Sequence, residues 1–463
     1  MKTQLVCSLG SMILSFGASA QQKSPASLPN ILLFISDDCT FRDLGCYGGT
    51  NIKTPNIDKF ATEGMQFTRC FQAASMCSPT RTNLYTGIYP VKSGGYPQNT
   101  FVKEGTKSIV QHLALAGYTT AILGKTHVSP KIAFPFNYLG DPGDELDFPK
   151  MDQFLSETKQ NKQPFCLFVC SHQPHAPFTK GDPSKINPDK IQLPPYFVDT
   201  KETRSEFAKY LAEIGYMDEE FGKSLELLGK HGYSDNTLVV FTSEQGNQFP
   251  FAKWTCYGNG LQTAFLVRWP GKIKAATVSN AMIEYVDVVP TFIEAAGLKV
   301  PKTVEGRSFL PVMTGKKSDH KKYTYAVQTT RGIIQGSDNY GMRTIRSEQF
   351  RYIMNLNPEA TFQNIVTKSA GSGGKFYQSW IARAAIDSTA KLLVNRFQHR
   401  PAEELYDVVK DPLEMNNIAD DPAFSRIKKE LRNNLLKWMK QQGDKGQQTE
   451  MEALEHQVIG QKE

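Results

Sequence analysis

The chain has 463 residues, 40% of them hydrophobic and 11% aromatic, a composition that excludes a disordered or fibrous protein. That length suits one large domain with a smaller appendage. The formal net charge of +7 fits attraction of an acidic ligand, or simply a surface with slightly more lysine than glutamate, and the lack of a Lys/Arg run argues against nucleic-acid binding.

The first twenty residues read as a signal peptide. Lys2 supplies the positive end, Leu5 to Phe16 a short apolar stretch, and Ala18-Ser19-Ala20 a cleavage site. The apolar stretch is too short and too interrupted by Ser and Gly to span a bilayer, and no later segment is long enough. The expectation is an exported product, periplasmic or secreted, with no membrane span. Of the eight cysteines, Cys7 would leave with the signal; Cys39, Cys46, Cys70, Cys77, Cys166, Cys170 and Cys256 remain, an odd number with no CxxC spacing. One cysteine committed to something other than a disulfide would resolve the count.

In chain order, Asn30 to Ile35 is an apolar run of the kind buried on both faces of a parallel sheet, and it ends on Ser36-Asp37-Asp38. Thr54-Pro55-Asn56 opens a helix that Gly64 closes. Gln66 to Ala73 alternates like a strand and delivers the chain to Cys77, and a short helix runs from Pro79 to Gly87. Lys107 to Ala116 is helical, and Tyr118 to Leu123 is a strand leading into Gly124-Lys125-Thr126-His127. Pro164 to Ser171 is a buried strand leading into His172-Gln173-Pro174-His175. Glu202 to Lys230 is a long helix, Thr237 to Thr242 a strand leading into Glu244-Gln245-Gly246, and Glu284 to Ala296 a helix. This alternation predicts an α/β domain over 28–325 with a mostly parallel sheet flanked by helices, and polar residues gathered just beyond its strand ends, where such sheets bind ligands.

Past residue 325 the pattern changes. Gly341 to Leu356 looks like a hairpin carrying Arg343, Arg346 and Arg351. Lys368 to Lys375 is a Gly/Ser-rich loop, Ala423 to Gln441 an amphipathic helix, and the polar tail after Gly443 reads as frayed. A small C-terminal α+β subdomain over 326–463 is expected, with a small antiparallel sheet and a terminal helix.

Asp37-Asp38 directly after a buried strand suits a hard divalent cation such as Ca²⁺ or Mg²⁺; taken alone, the pair is equally a polar turn. Glu244-Gln245 repeats the arrangement, and together the four side chains form an all-oxygen set that favours calcium over zinc. Cys77-x-Pro79-x-Arg81 puts a thiol at a helix start, where free N–H groups favour an anion, with an arginine one turn on. A buried structural cysteine is the plainer reading of a five-residue pattern.

Cys77-Ser78-Pro79-Thr80-Arg81 resembles the signature of the formylglycine-dependent sulfatases, and the likeness covers nearly the whole mature chain. Asn30 to Asp38 looks like the family's opening strand and metal pair, with Thr54-Pro55-Asn56-Ile57-Asp58 and Leu84-Tyr85-Thr86-Gly87 flanking the cysteine. Gly124-Lys125-Thr126-His127, Pro174-His175-Ala176-Pro177, the second lysine Lys253, and Arg400 to Pro422 resemble further family motifs. One departure is Glu244-Gln245, where many members have Asp followed by His or Asn.

The resemblance implies an alkaline-phosphatase-like fold and a sulfuric ester hydrolase (EC 3.1.6.-). It also implies a Cys77 converted to formylglycine (3-oxoalanine) by a maturation enzyme. One Ca²⁺ held by Asp37, Asp38, Glu244, Gln245 and the modified Cys77 is implied too. Arg81, Lys125 and Lys253 would neutralise the sulfate, the residue-77 hydrate would attack sulfur, His175 or Lys253 would assist the leaving oxygen, and His127 would help regenerate the aldehyde. His172 is as much a candidate substrate contact as a packing residue. Thr329-Thr330-Arg331-Gly332 and Ser243-Glu244-Gln245-Gly246 look closest to the heparan N-sulfatase-like branch, which makes Arg331 a substrate-binding candidate. A sulfated polysaccharide or its oligosaccharides is the implied substrate, with algal-type O-sulfate and heparan-type sulfate both open. A phosphonate or phosphate ester hydrolase and an inactive glycan-binding protein are the rivals.

Overall fold

β1 (Asn30–Ser36) is buried along its whole length because parallel strands flank it on both sides, β5 (Phe165–Cys170) and β6 (Thr237–Ser243). Its alternating side chains serve two cores. Leu32 and Phe34 face the long helix Lys201–Lys230, with the Phe34 and Phe221 rings 5.3 Å apart, while Ile31, Leu33 and Ile35 face the helix Val288–Ala295. Each such side chain withdrawn from water contributes roughly 1.5–3 kcal/mol. The computed structural model describes residues 28–140, 143, 145–368 and 374–457. The expected signal peptide and most of the Gly/Ser-rich loop lie outside them.

The remaining strands of the main sheet are β2 (Met65–Phe71), β3 (Thr119–Gly124), β4 (Asn137–Leu139), β7 (Gln262–Arg268), β8 (Thr277–Ser279) and β9 (Ile283–Glu284). The order is β4-β3-β5-β1-β6-β7-β2-β8, with β9 also on β2. β7 runs antiparallel to both β6 and β2; the other pairings are parallel. The carboxyl ends of β1, β3, β5 and β6 therefore share one edge. Helix α1 (Pro55–Glu63) begins and ends where expected, between Thr54 and Gly64.

A second, antiparallel sheet runs β10-β11-β12-β13: Thr324–Gln328, Met342–Arg346, Phe350–Asn355 and Glu403–Asp407. β11 and β12 are the expected hairpin, and the helix Ser425–Gln442 packs on β11. The new sheet starts at Thr324, so the expected division after 325 cuts through β10.

Four expectations are corrected. The helix expected from Glu284 begins at Val288, because Glu284 ends β9 and its carboxylate and that of Asp287 form a capping box around a 3-10 turn. The helix expected over Lys107–Ala116 is α-helical only from Ile109 to Leu113, then tightens into a 3-10 turn before Gly117. The odd cysteine count decides nothing, since all seven cysteines of the described residues are free, Cys166 and Cys170 within the buried β5. Within the described residues the tail after Gly443 is packed and not frayed, with a helical turn at Gln447–Met451 and Glu450 fully buried. Its polar groups bond to backbone: the Glu450 carboxylate accepts from the N–H groups of Thr330 (2.8 Å) and Arg331 (3.1 Å), and Phe101 N–H donates to His456 O (2.8 Å). No helix among the described residues is long and apolar enough to cross a membrane.

Candidate active site

Helix α2 (Cys77–Thr86) starts at the cysteine itself, and every residue in it is buried. Such depth for a polar segment requires internal bonding. Thr80 Oγ1 donates to Ala74 O (2.7 Å) and Gln72 Oε1 (3.0 Å), and Gly87, at φ +66°, ends the helix with an N–H bond to Asn83 O. Ser78 N–H, one of the free donors of the first turn, reaches Gln98 Oε1 at 3.4 Å.

The strand ends bring the other groups to the thiol. Asp37 Oδ1 lies 3.6 Å from Cys77 Sγ, Lys125 Nζ 3.7 Å and Gln245 Nε2 3.0 Å. Lys125 Nζ also pairs with Asp37 Oδ2, and Lys253 Nζ with Asp38 Oδ2 at 2.6 Å. His175 Nε2 is 3.6 Å from the same Asp38 oxygen. Arg81 pairs with Glu244 and donates from Nη1 to Lys125 O (2.7 Å). Asp38 and His127 have left-handed backbones (φ 57° and 50°), a conformation that costs about 1 kcal/mol or more outside glycine. Gly124, at φ +82°, lets β3 turn into Lys125; a Cβ there would meet Cys170 O at 2.3 Å.

Burial works against every charge here, so the pairing decides the protonation states. Burial raises the Asp37 carboxyl, but Lys125, His175, Arg81 and Lys253 together hold it well below the usual carboxylate range. Burial raises Glu244 and the Arg81 charge only partly offsets this. Burial, then Asp37, pushes the Cys77 thiol up, so as a thiol it is a poor nucleophile. Burial and Lys253 lower His175 to about 4, and burial with Lys125 and Arg81 lowers His127 well below the imidazole range, so both rings are neutral at neutral pH. Lys125 and Lys253 stay protonated because Asp37 and Asp38 outweigh burial.

The donor set fits a hard cation. Asp37, Asp38, Glu244 and Gln245 are fully buried, and Glu244 Oε1 and Gln245 Oε1 have no hydrogen-bond partner, which is costly unless something cationic meets them. Among the described residues, Asp37 and Cys77 of the expected set also offer ligand atoms within 4.8 Å of each other and of His175. Glu244 turns toward Arg81 instead. Gln245 presents Nε2 to Asp38 Oδ1 (2.8 Å) and to the thiol, so a half-turn of its amide would bring the oxygen to that place.

The outer candidates divide. His127 Nε2 bonds Asn99 Oδ1 at 2.7 Å, leaving Nδ1 buried and without a partner. The His172 ring stands 5.9 Å from that of His175. The bonds of Arg331 run to Asp338 and Glu450 and not to the Cys77 group; its loop joins the rim through Gln457 Nε2, which donates to both Gly332 O (3.0 Å) and Gln98 O (2.7 Å). Gln98, Asn99 and Gln457 had no sequence signal beyond a polar loop and a polar tail.

The sulfatase family model matches residues 29–298, and the model of the N-sulphoglucosamine sulphohydrolase C-terminal region matches 246–363. An ulvan-active sulfatase of Formosa agariphila is 33% identical over 425 residues, covering 90% of this chain and 81% of that protein. Human N-sulphoglucosamine sulphohydrolase is 28% identical over 472 residues, covering 88% and 89%. A solved structure of a protein with its substrate D-glucosamine-2-N,6-O-disulfate superimposes with a TM-score of 0.67 at 21% identity, covering 90% of this chain and 99% of that one.

Proposed function

Because the chain belongs to the sulfatase family, we propose that it removes sulfate groups from a sulfated glycan, with residue 77, matured to formylglycine, as the reacting side chain. The observation that carries this reading is the convergence of Asp37, Lys125 and Gln245 on Cys77 Sγ at the start of α2. A thiol held protonated by burial is a weak nucleophile, and its replacement by an aldehyde hydrate, whose hydroxyl can attack sulfur, removes that obstacle.

Asp37, Asp38, Gln245 and the free oxygen of Glu244 would hold a calcium ion, which would polarise a sulfate oxygen. Asp37, Asp38 and Glu244 face Arg81, Lys125 and Lys253, so the site as built is close to neutral. A divalent cation would add the positive charge that a sulfate group and a leaving alkoxide require, and would free the two lysines from their carboxylates. Lys125 and Lys253 then bind sulfate oxygens as charge accumulates on them. Arg81, buried and fixed by Lys125 O and Glu244, holds residue 77 in place. His175, neutral, hydrogen-bonds the leaving oxygen, and protonated Lys253 stands beside it as the proton source. His127 offers the Nδ1 lone pair as a base for the hydrate.

The proposed substrate is an oligosaccharide of a sulfated polysaccharide, a sulfate ester in preference to a sulfamate. The ulvan-active relative at 33% identity supports that preference over the sulphohydrolase at 28%. Export through the segment 1–20 fits a polymer met outside the cell, and cell fractionation tests it.

Mass spectrometry of the Cys77 peptide, from a host with a competent maturation enzyme, tests the nucleophile: conversion of thiol to aldehyde is expected. An unmodified cysteine in protein that still releases sulfate would refute it. Sulfate release from ulvan and heparan oligosaccharides, beside an aryl phosphonate, tests the substrate. Faster turnover of the phosphonate would replace this reading.

A further inference from the structure

The three arginines of the β11–β12 hairpin are buried, and two of them have carboxylate partners. Arg343 pairs with Asp444, and Arg351 Nε lies 2.5 Å from Glu414 Oε1. Arg346 has none. It is 7% exposed, and its Nε and Nη1 are buried without a hydrogen-bond partner.

Its surroundings add to the positive charge. Arg346 sits directly across from Arg351 in the antiparallel register, an arrangement in which like charges repel. Both guanidinium groups lie over the Phe71 ring, at 4.5 and 5.8 Å from its centroid. Arg69 and Arg42 also act on Arg346 repulsively, and the two carboxylates that attract it are engaged elsewhere: Glu414 is bonded to Arg351 and to Gly258 N–H (2.7 Å), and the exposed Glu348 to Arg69 (2.7 Å). A ring face attracts a cation but leaves its N–H donors unfilled. A lysine could shed its proton in such a place, whereas a guanidinium cannot.

We infer that Arg346 is the centre of an anion site between the two sheets, filled by a small inorganic oxyanion of the sulfate or phosphate type. A planar fork of donors matches a tetrahedral oxyanion. The slight exposure suits a free ion better than a group carried on a sugar chain. None of its residues belongs to the Cys77 site, so the inference stands apart from the proposed reaction, although that reaction releases such an ion.

Thermal unfolding of the full chain in anion-free gluconate buffer, titrated with sulfate or with phosphate at constant ionic strength, tests this. The native protein and Arg346→Met are compared, and sulfate inhibition of ester hydrolysis is read in parallel as the report of the Cys77 site. Saturating sulfate should raise the native midpoint by about 2–4 °C more than the variant's. Inhibition should be alike in both, and without anion the variant should be no less stable. A response to phosphate alone would support the site and change the ion. Equal midpoint shifts in the two proteins, or a change in inhibition that follows the midpoint shift, would overturn the inference. Should Arg346→Met fail to fold, native crystals grown in selenate give a second reading: an anomalous peak within hydrogen-bonding distance of Arg346 supports the site, and water or no density there ends it.

Discussion

The Asn99 carboxamide decides which nitrogen of His127 faces the site. Its Oδ1 accepts from Nε2, so Nε2 carries the ring proton and the buried Nδ1 keeps its lone pair. Asn99 is itself placed by its neighbours, since Gln98 Oε1 accepts from Ser78 N–H and Thr100 N–H donates to Ser78 Oγ (3.3 Å). The loop that aims the base is thus fastened to the first turn of the helix that carries Cys77. Asn99→Ala is expected to lower kcat on the order of 10-fold or more and leave KM nearly unchanged. Asn99→Asp keeps the acceptor and should recover most of the loss. A raised KM with unchanged kcat in steady-state kinetics would show that Asn99 contacts substrate instead.

At this scale the groups nearest the thiol were legible because each follows a strand: Asp37 and Asp38 after β1, Lys125 after β3, His175 after β5, Gln245 after β6. Asn99 was not, because nothing local marks which polar loop residue meets a histidine on another segment. The pairing of Glu244 with Arg81 was equally hidden, since both residue types also fit the ligand and sulfate-binding roles expected of them.

Among elements, the segment from Asp444 to Gln457 departs furthest from expectation. Its polar composition reads as a frayed end, and periodicity cannot register polar side chains that bond to distant backbone. Tyr96 OH donates to Thr449 O (2.9 Å), Asp444 pairs with Arg343, and Gln457 ties the Asn99 loop to the Arg331 loop. The segment fixes the spacing between two parts of the rim that belong to different sheets. Removing one neutral bridging amide costs about 0.5–1.5 kcal/mol, so Gln457→Ala should raise KM roughly 2- to 10-fold with little change in kcat or unfolding midpoint. Glu450→Ala strips the bonds of both the Thr330 and Arg331 N–H groups and should raise KM while also lowering the midpoint. Unchanged kinetics in both variants would make the segment a structural brace alone.

For the molecule as a whole, the alternation of strands and helices was legible, but strand direction was not: β7 has the same apolar pattern as its neighbours and runs against them. The sequence also gave no sign that the sheets share a buried ionic junction, where Lys321 lies 2.6 Å from Glu284 and 2.8 Å from Asp287, both fully buried. Another buried carboxylate, Glu220 on the long helix, accepts from Ser171 Oγ at 2.6 Å and so braces the turn that leads to His172 and His175. Burial raises its pKa from 4.5 to about 7, with the Ser171 bond pulling the other way. A carboxyl whose folded pKa lies above its unfolded value binds protons more tightly in the folded state. Its contribution is therefore complete below the unfolded value and is lost as pH rises through the folded one. Between pH 5 and 8.5 this one group should remove roughly 2–3 kcal/mol. Glu220→Gln cannot ionise, so the stability difference between native protein and variant should shift by that amount, against the native protein as pH rises. Groups shifted alike in both proteins, Asp37 among them, cancel in the comparison. Urea unfolding at the two pH values measures it, and a difference independent of pH would mean that Glu220 is ionised in the folded protein throughout.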